Sequence, residues 1–441
     1  MNAFHPGEQS HVFPNAPTGL VYPGDPGVPR GTYATDKNNL APRFGAVWDV
    51  RGNGRTTVRG AWGIFYDTLA GQGDFFQNGV LAPPFTPLLQ IDAPAPMTLE
   101  NPLGASTAGA ADFPPGLTII GWAKDFQTPY AYQYNFSLQH QFGENIGMEV
   151  GYVGSLGRHM PIFMEVNPGV YTPGQTSPGA RLFPAFALVR PTFSEARSKY
   201  DSLQASVRMR PAHGLNFLAS YTLSKSMDHV SGLNIGADSR PAIPVTIGDE
   251  ASIEQSLAYE WGPSLFDARH RFVVSFGYAL PEAEALGSVA HHVIGGWQLN
   301  GIVQAQTGFP FTVVDAVTDI RYLTNRPNMT CDPNDNAPHT TSQWFDTSCF
   351  QRRPQATTGT GVGSEPRNVV RGPGFAQTDL SLFKNINVRQ GNTIQLRVEG
   401  FNIFNQTHFN QPNATIGSST FGQITSAQDG RVLQLGIKYL F

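Results

Sequence analysis

The residues that could do chemistry in this chain are few, and their spacing argues against most of the chemistry they suggest. Cys331 and Cys349 are the only two cysteines in 441 residues. After the first comes Asp332-Pro-Asn-Asp-Asn336, which opens like an acidic calcium loop. That loop needs Gly at its sixth position and Glu at its twelfth, and here they are Ala337 and Gln343. An Asx-rich turn explains the same residues without an ion. The eleven histidines are scattered, and the pair His291-His292 lies in a connection where a solvated turn is the simpler reading. There is no His-Glu-x-x-His, no Gly-x-Ser-x-Gly and no phosphate-binding glycine loop. The chain is therefore expected to be no enzyme and to need no metal or cofactor.

The charged residues that remain fall on alternate positions of polar-apolar runs. The last run, Arg431 to Phe441, shows the pattern. Leu433, Leu435, Ile437, Tyr439 and Phe441 fall on one side at period two, with Gln434, Gly436 and Lys438 on the other. A strand alternates its side chains this way and a helix does not. Such a strand suits the edge of a soluble sandwich or a wall with lipid on one side and water on the other. Arg43, Arg59, Glu149, Arg208, Arg271, Arg397, Glu399 and Lys438 all sit on the polar side of such runs. In a barrel they would face the lumen, paired with a plug or tuning permeation, although a hydrated, mutually paired wall needs no ligand.

Composition narrows the choice. Charged residues are 14% of the chain and net charge is −4, so no basic field points to nucleic acid. Forty-seven glycines and 35 prolines cluster between the alternating runs. No apolar run approaches the ~18 residues of a membrane helix. The opening Met1-Asn-Ala-Phe-His-Pro-Gly has neither the basic nor the apolar part of a secretory signal.

Residues 1–39 are Pro- and Gly-rich without period and read as a loop segment, extracellular in the orientation argued below. From 40 to 441 about eleven strands follow, each of about ten residues, a length that crosses hydrocarbon when tilted ~45°. Their connections alternate between short (51–55, 143–145, 210–214, 281–294, 389–392) and long (67–130, 155–198, 226–266, 314–374, 406–430). Short turns at one end and long loops at the other are the pattern of an outer-membrane barrel. Soluble folds seldom hold several loops of that length. The expectation is an all-β, antiparallel transmembrane barrel. With the C-terminus in the periplasm the long loops are extracellular. A complete single-chain bacterial barrel has an even strand number, so an odd count that begins outside implies a miscount or a missing part. An exported chain meets an oxidising compartment, which predicts a Cys331–Cys349 disulfide; two free thiols would suit a cytosolic chain.

Several segments resemble the TonB-dependent outer-membrane receptors, in particular their Oar-like branch. They include Leu40-Ala-Pro-Arg-Phe-Gly-Ala-Val-Trp-Asp49, Val58-Arg-Gly-Ala-Trp-Gly-Ile-Phe-Tyr-Asp67, Phe266-Asp-Ala-Arg-His-Arg-Phe272, Arg367-Asn-Val-Val-Arg-Gly-Pro-Gly374 and Arg397-Val-Glu-Gly-Phe-Asn-Ile-Phe-Asn405. The resemblance runs over essentially the whole chain. It implies the second half of a barrel of ~22 strands, left open or imperfectly closed alone, that imports a nutrient with energy delivered through TonB. Contact with TonB would run through a plug that this chain does not contain. The terminal Phe441 matches the aromatic end by which such barrels are recognised by the barrel-assembly machinery, and outer-membrane lipid is the other expected partner. A passive porin-like channel and a surface adhesion or structural protein are the alternatives.

Overall fold

The computed structural model describes residues 2–67, 83–84, 113, 116–169, 181–232, 241–281, 295–315, 326–352, 363–389 and 392–441. Eleven strands form one antiparallel meander. They are β1 (Arg43–Asp49), β2 (Thr56–Tyr66), β3 (Tyr130–Phe142), β4 (Ile146–Phe163), β5 (Phe186–Ala212) and β6 (Leu215–Asp228). Then come β7 (His270–Ala279), β8 (Trp297–Gln306), β9 (Phe375–Arg389), β10 (Asn392–Phe401) and β11 (Val432–Leu440). Each pairs with its chain neighbours, while among the described residues β1 pairs only with β2 and β11 only with β10. The fold is all-β with an antiparallel meander, as expected, and among the described residues no ladder joins its first strand to its last.

Turn chemistry fixes the register. Between β1 and β2, Gly52 and Gly54 hold φ of +69°, and the Asp49 carboxylate accepts hydrogen bonds from the backbone N–H of Gly54 (2.6 Å) and Arg51 (3.3 Å). Glycine takes that conformation without a steric cost. A register set this way keeps every second residue on one face, because a slip of one would move them all.

Little of the sheet is buried. Leu435, Ile437 and Phe441 are 79%, 79% and 96% exposed. The buried core lies instead among the long connections. One cluster gathers Phe4, Leu20, Leu117, Ile119, Ile162, Met164 and Phe186, and a second gathers Phe311, Val313, Phe345, Phe350 and Val370. Burying each such side chain contributes ~1.5–3 kcal/mol, so the described parts of these connections pack as folded bodies.

Three expectations about loops are corrected. The stretch 155–198 contains strand: β4 runs on to Phe163 and β5 begins at Phe186. There Phe193 is buried, and so are its neighbours Thr192 and Ser194. A strand covered on both faces loses its alternation, which is why the pattern hid it. Residues 1–39 hold two short paired strands, Ala3–Phe4 and Leu20–Val21, and the first also pairs with Leu117–Trp122. The stretch 226–266 holds a helix, α1 (Glu250–Glu260), capped by Asp249, whose carboxylate accepts from the backbone N–H of Ala251 and Ser252. It buries Ser256 and Glu260 and packs only Ile253 and Leu257 against the first cluster, an apolar contact of one turn that is too short to read as a stripe.

Candidate functional site

Register places all eight charged residues singled out from the sequence on one face. Gln139 lies opposite Thr57 on β2 and Glu149 on β4, Glu149 opposite Ser206, and Ser206 opposite Ser220. Two residues along, this row carries Arg59 and Arg208. Arg43 lies opposite Gly63, four residues from Arg59. Arg271 pairs with Thr222 and Gln306, and Gln306 with Phe375. Counting by twos along β9 reaches Ser381, Phe383 and Asn385, opposite Glu399, Arg397 and Gln395, and Gln395 faces Lys438. Their backbones are held in ladders, so each charge is delivered at a fixed height.

Their surroundings are polar. Gln139 Nε2 donates to Glu149 (2.8 Å), and Arg397 donates to Gln395 (2.7 Å) while lying over the Phe383 ring at 4.7 Å. Arg43 lies over Phe65 at 4.4 Å. Among the described residues no two of the eight form an ion pair. Near the turn end a cavity of about 420 Å³ is lined by Arg55, Arg59, Arg208, Arg210, Gln139 and Glu149 among others. Arg55 and Arg210 were not singled out from the sequence, although Arg210 continues the alternation of β5 and could have been. Among the described residues this face presents charged and amide side chains held at fixed register.

The opposite face is apolar and carries aromatic rows. Phe44 stacks on Trp62 (6.0 Å), and Trp62 on Tyr132 (6.1 Å). Towards the long connections, the hydroxyls of Tyr134 and Tyr152 donate to Asp201 at 3.1 and 2.6 Å. A band of tyrosines with polar tips suits the height where hydrocarbon meets water. Phe441 stands beyond the end of β11, fully exposed.

Cys331 and Cys349 are joined in a disulfide with Cα atoms 5.0 Å apart. Their sulfurs are therefore spent, although Asp346 lies beside them. The Asp332 carboxylate accepts from the backbone and side-chain N–H groups of Asn334, at 2.9 and 2.8 Å, as an Asx turn does. His291 and His292 lie outside the described residues.

What the sequence did not reveal is a buried polar junction that ties the connections together. Arg326 donates to Glu260 at the end of α1 (2.5 Å) and stacks on Tyr259. Arg367 pairs with Asp228 at the end of β6 and donates to the Glu260 carbonyl (3.0 Å). Glu365 is fully buried and takes a backbone N–H from Val313 (2.8 Å), while burial pushes its carboxyl up to about 8. Burial, then Arg367 and Arg197, push His229 down to about 4. Each of these groups is separated from its partner by tens of residues, so no local motif announces it.

The comparisons with known proteins agree with this geometry. The family model described as outer membrane beta barrel domain matches residues 1–434. A search of curated protein sequences finds no match. Among solved structures, the outer membrane transporter YddB from Escherichia coli superposes with TM-score 0.50 at 12% identity, over 91% of this chain and 40% of that one. The FrpB iron transporter from Neisseria meningitidis gives 0.41 at 12%, over 91% and 39%. The siderophore receptor PiuA from Acinetobacter baumannii gives 0.44 at 9%, over 90% and 35%. The chain thus spans about two fifths or less of the length of these structures. With one polar face, one apolar face and eleven consecutive antiparallel strands among the described residues, the chain belongs to the outer membrane beta barrel domain family and resides in the bacterial outer membrane.

Proposed function

We propose that this chain is barrel wall of a TonB-dependent, Oar-like transporter that imports a nutrient across the outer membrane, a carrier rather than an enzyme. The observation that carries the reading is the pair of unpartnered edges. A barrel is stable in lipid because no strand edge is left unpaired, and here β1 and β11 each have one neighbour among the described residues. Supplying the missing strands would complete a wider barrel, with Arg59, Glu149, Arg208 and Arg271 on its inner wall. The barrel-assembly machinery, reading Phe441, and TonB, acting through a plug, are the partners this reading requires. A passive porin-like channel would instead need β1 to meet β11 in a ladder.

The test is uptake by cells that carry the protein from its native locus, with TonB present or deleted, against a panel of solutes too large for passive pores. Energy-dependent uptake lost on TonB deletion supports the reading. Uptake that survives the deletion favours the passive channel, and no solute movement with retained surface binding favours an adhesion role.

A further inference from the structure

We infer that the apolar face holds a built niche for one acyl chain of a membrane lipid, in the leaflet on the side of the long connections. Tyr221, Phe272, Ala305 and Ala376 lie directly opposite one another on β6, β7, β8 and β9, forming one row across the apolar face. The row falls from two aromatics to two alanines, so the surface steps inward at β8 and β9. Gly374 extends the low floor.

The far side of the step is walled because β10 is short. Its last residue, Phe401, comes level with Asp379, so β9 from Phe375 to Thr378 has no ladder partner on that side. The chain covers this gap with other groups. The backbone N–H of Ile403 donates to Thr378 O (2.9 Å), that of Asn402 to the Asp379 carboxylate (2.7 Å), and His408 Nε2 to Ala376 O (2.8 Å). His408 also packs on Phe375 at 4.7 Å. The result is a cavity of about 510 Å³ between Phe272 and His408, roofed by Gln406 and Thr407. That size falls within the ~300–1,000 Å³ of small-molecule sites.

Its place decides its occupant. It opens on the face that meets hydrocarbon, where water cannot fill an apolar dent and an acyl chain can. Polar groups gather towards the long connections: Gln406, Thr407 and His408 on one side, and on the other Tyr221 Oη and His270 Nδ1, 2.7 Å apart, with the His270 backbone N–H donating to Thr307 (3.1 Å). A chain lying on Phe272, Ala305 and Ala376 would bring its ester or amide linkage level with this polar rim, where amphipathic side chains sit at an interface.

The experiment reconstitutes the protein in bilayers that contain lipids with a photoreactive group in the acyl chain, and maps the adducts by mass spectrometry. Labelling around Phe272, Ala305 and Ala376 should exceed labelling around Phe136, an exposed apolar-face residue on β3, severalfold. Ala305→Leu and Ala376→Leu should each lower niche labelling to the Phe136 level and leave Phe136 labelling unchanged. Wild-type labelling at the niche no higher than at Phe136 would overturn the inference, whether or not the variants fold. So would full niche labelling in a folded Ala376→Leu protein.

Discussion

Tyr134 lies across Gly154 on the neighbouring strand so closely that a Cβ there would meet its ring at 2.2 Å. Its hydroxyl reaches one strand further, to Asp201. A glycine under an aromatic ring lets three strands share one anchor at the height where the sheet leaves the membrane.

Gly154→Ala should swing the Tyr134 ring out and break its bond to Asp201, at a cost of ~1 kcal/mol. Tyr134→Phe, which keeps the ring seated, should lose the bond alone. The check is thermal unfolding of the two variants and their double mutant in bilayers: the double should be no worse than Gly154→Ala. Additive losses would show that the ring and the glycine do not act together.

The disulfide should govern one folded connection and leave the sheet alone. Cys331→Ser with Cys349→Ser should lower the stability of the Phe345 and Phe350 cluster by ~3 kcal/mol, with the mechanism model-dependent. Limited proteolysis reads this as faster cutting within 326–371, with the barrel strands intact. Equal protease resistance after reduction would contradict it.

Glu365 predicts a pH dependence. Folded, its carboxyl titrates near 8; unfolded, near ~4.3. Between those values the folded chain holds a proton that the unfolded chain has released, so stability is fully present below ~4.3 and falls as pH rises towards 8. His229 acts in the opposite sense. Its folded value near 4 lies below the ~6.5 of the unfolded chain, so its contribution is present above ~6.5 and is lost as pH falls. Above ~6.5 the Glu365 slope is therefore no longer offset by His229. Between pH 6.5 and 8 the protein should lose ~2 kcal/mol that Glu365→Gln does not lose. Denaturant titration at the two pH values checks this, and a wild-type slope retained in Glu365→Gln would contradict it.

The membrane part of the fold was legible because lipid on one face and water on the other force a period of two. Every one of the eleven strands announced itself that way, and turn residues such as Gly52 and Gly54 marked the hairpins. Legibility ended where that constraint ended. Beyond Met160 in β4 and as far as Ser194 in β5 most residues on both faces are covered, and the alternation vanishes. Helix α1 buries Ser256 and Glu260 and offers the core only Ile253 and Leu257, too short a stripe to read. The Arg326–Glu260 and Arg367–Asp228 pairs join residues 66 and 139 positions apart, and nothing local in either segment specifies its partner. The lipid niche escaped for a related reason: it is made by the mismatch in length between β9 and β10, which only pairing reveals.

We propose that β1 and β11 are open edges that pair with further barrel strands. Amide hydrogen exchange on the chain reconstituted alone in bilayers tests it most directly. The account predicts that in β1 and β11 the amides turned away from β2 and β10 exchange much faster than those of β3 or β8, and that supplying the missing barrel strands slows them to the interior rate. Edge amides of the chain alone protected as strongly as those of β3, in a monomer, would show that β1 and β11 pair with each other and would contradict the account.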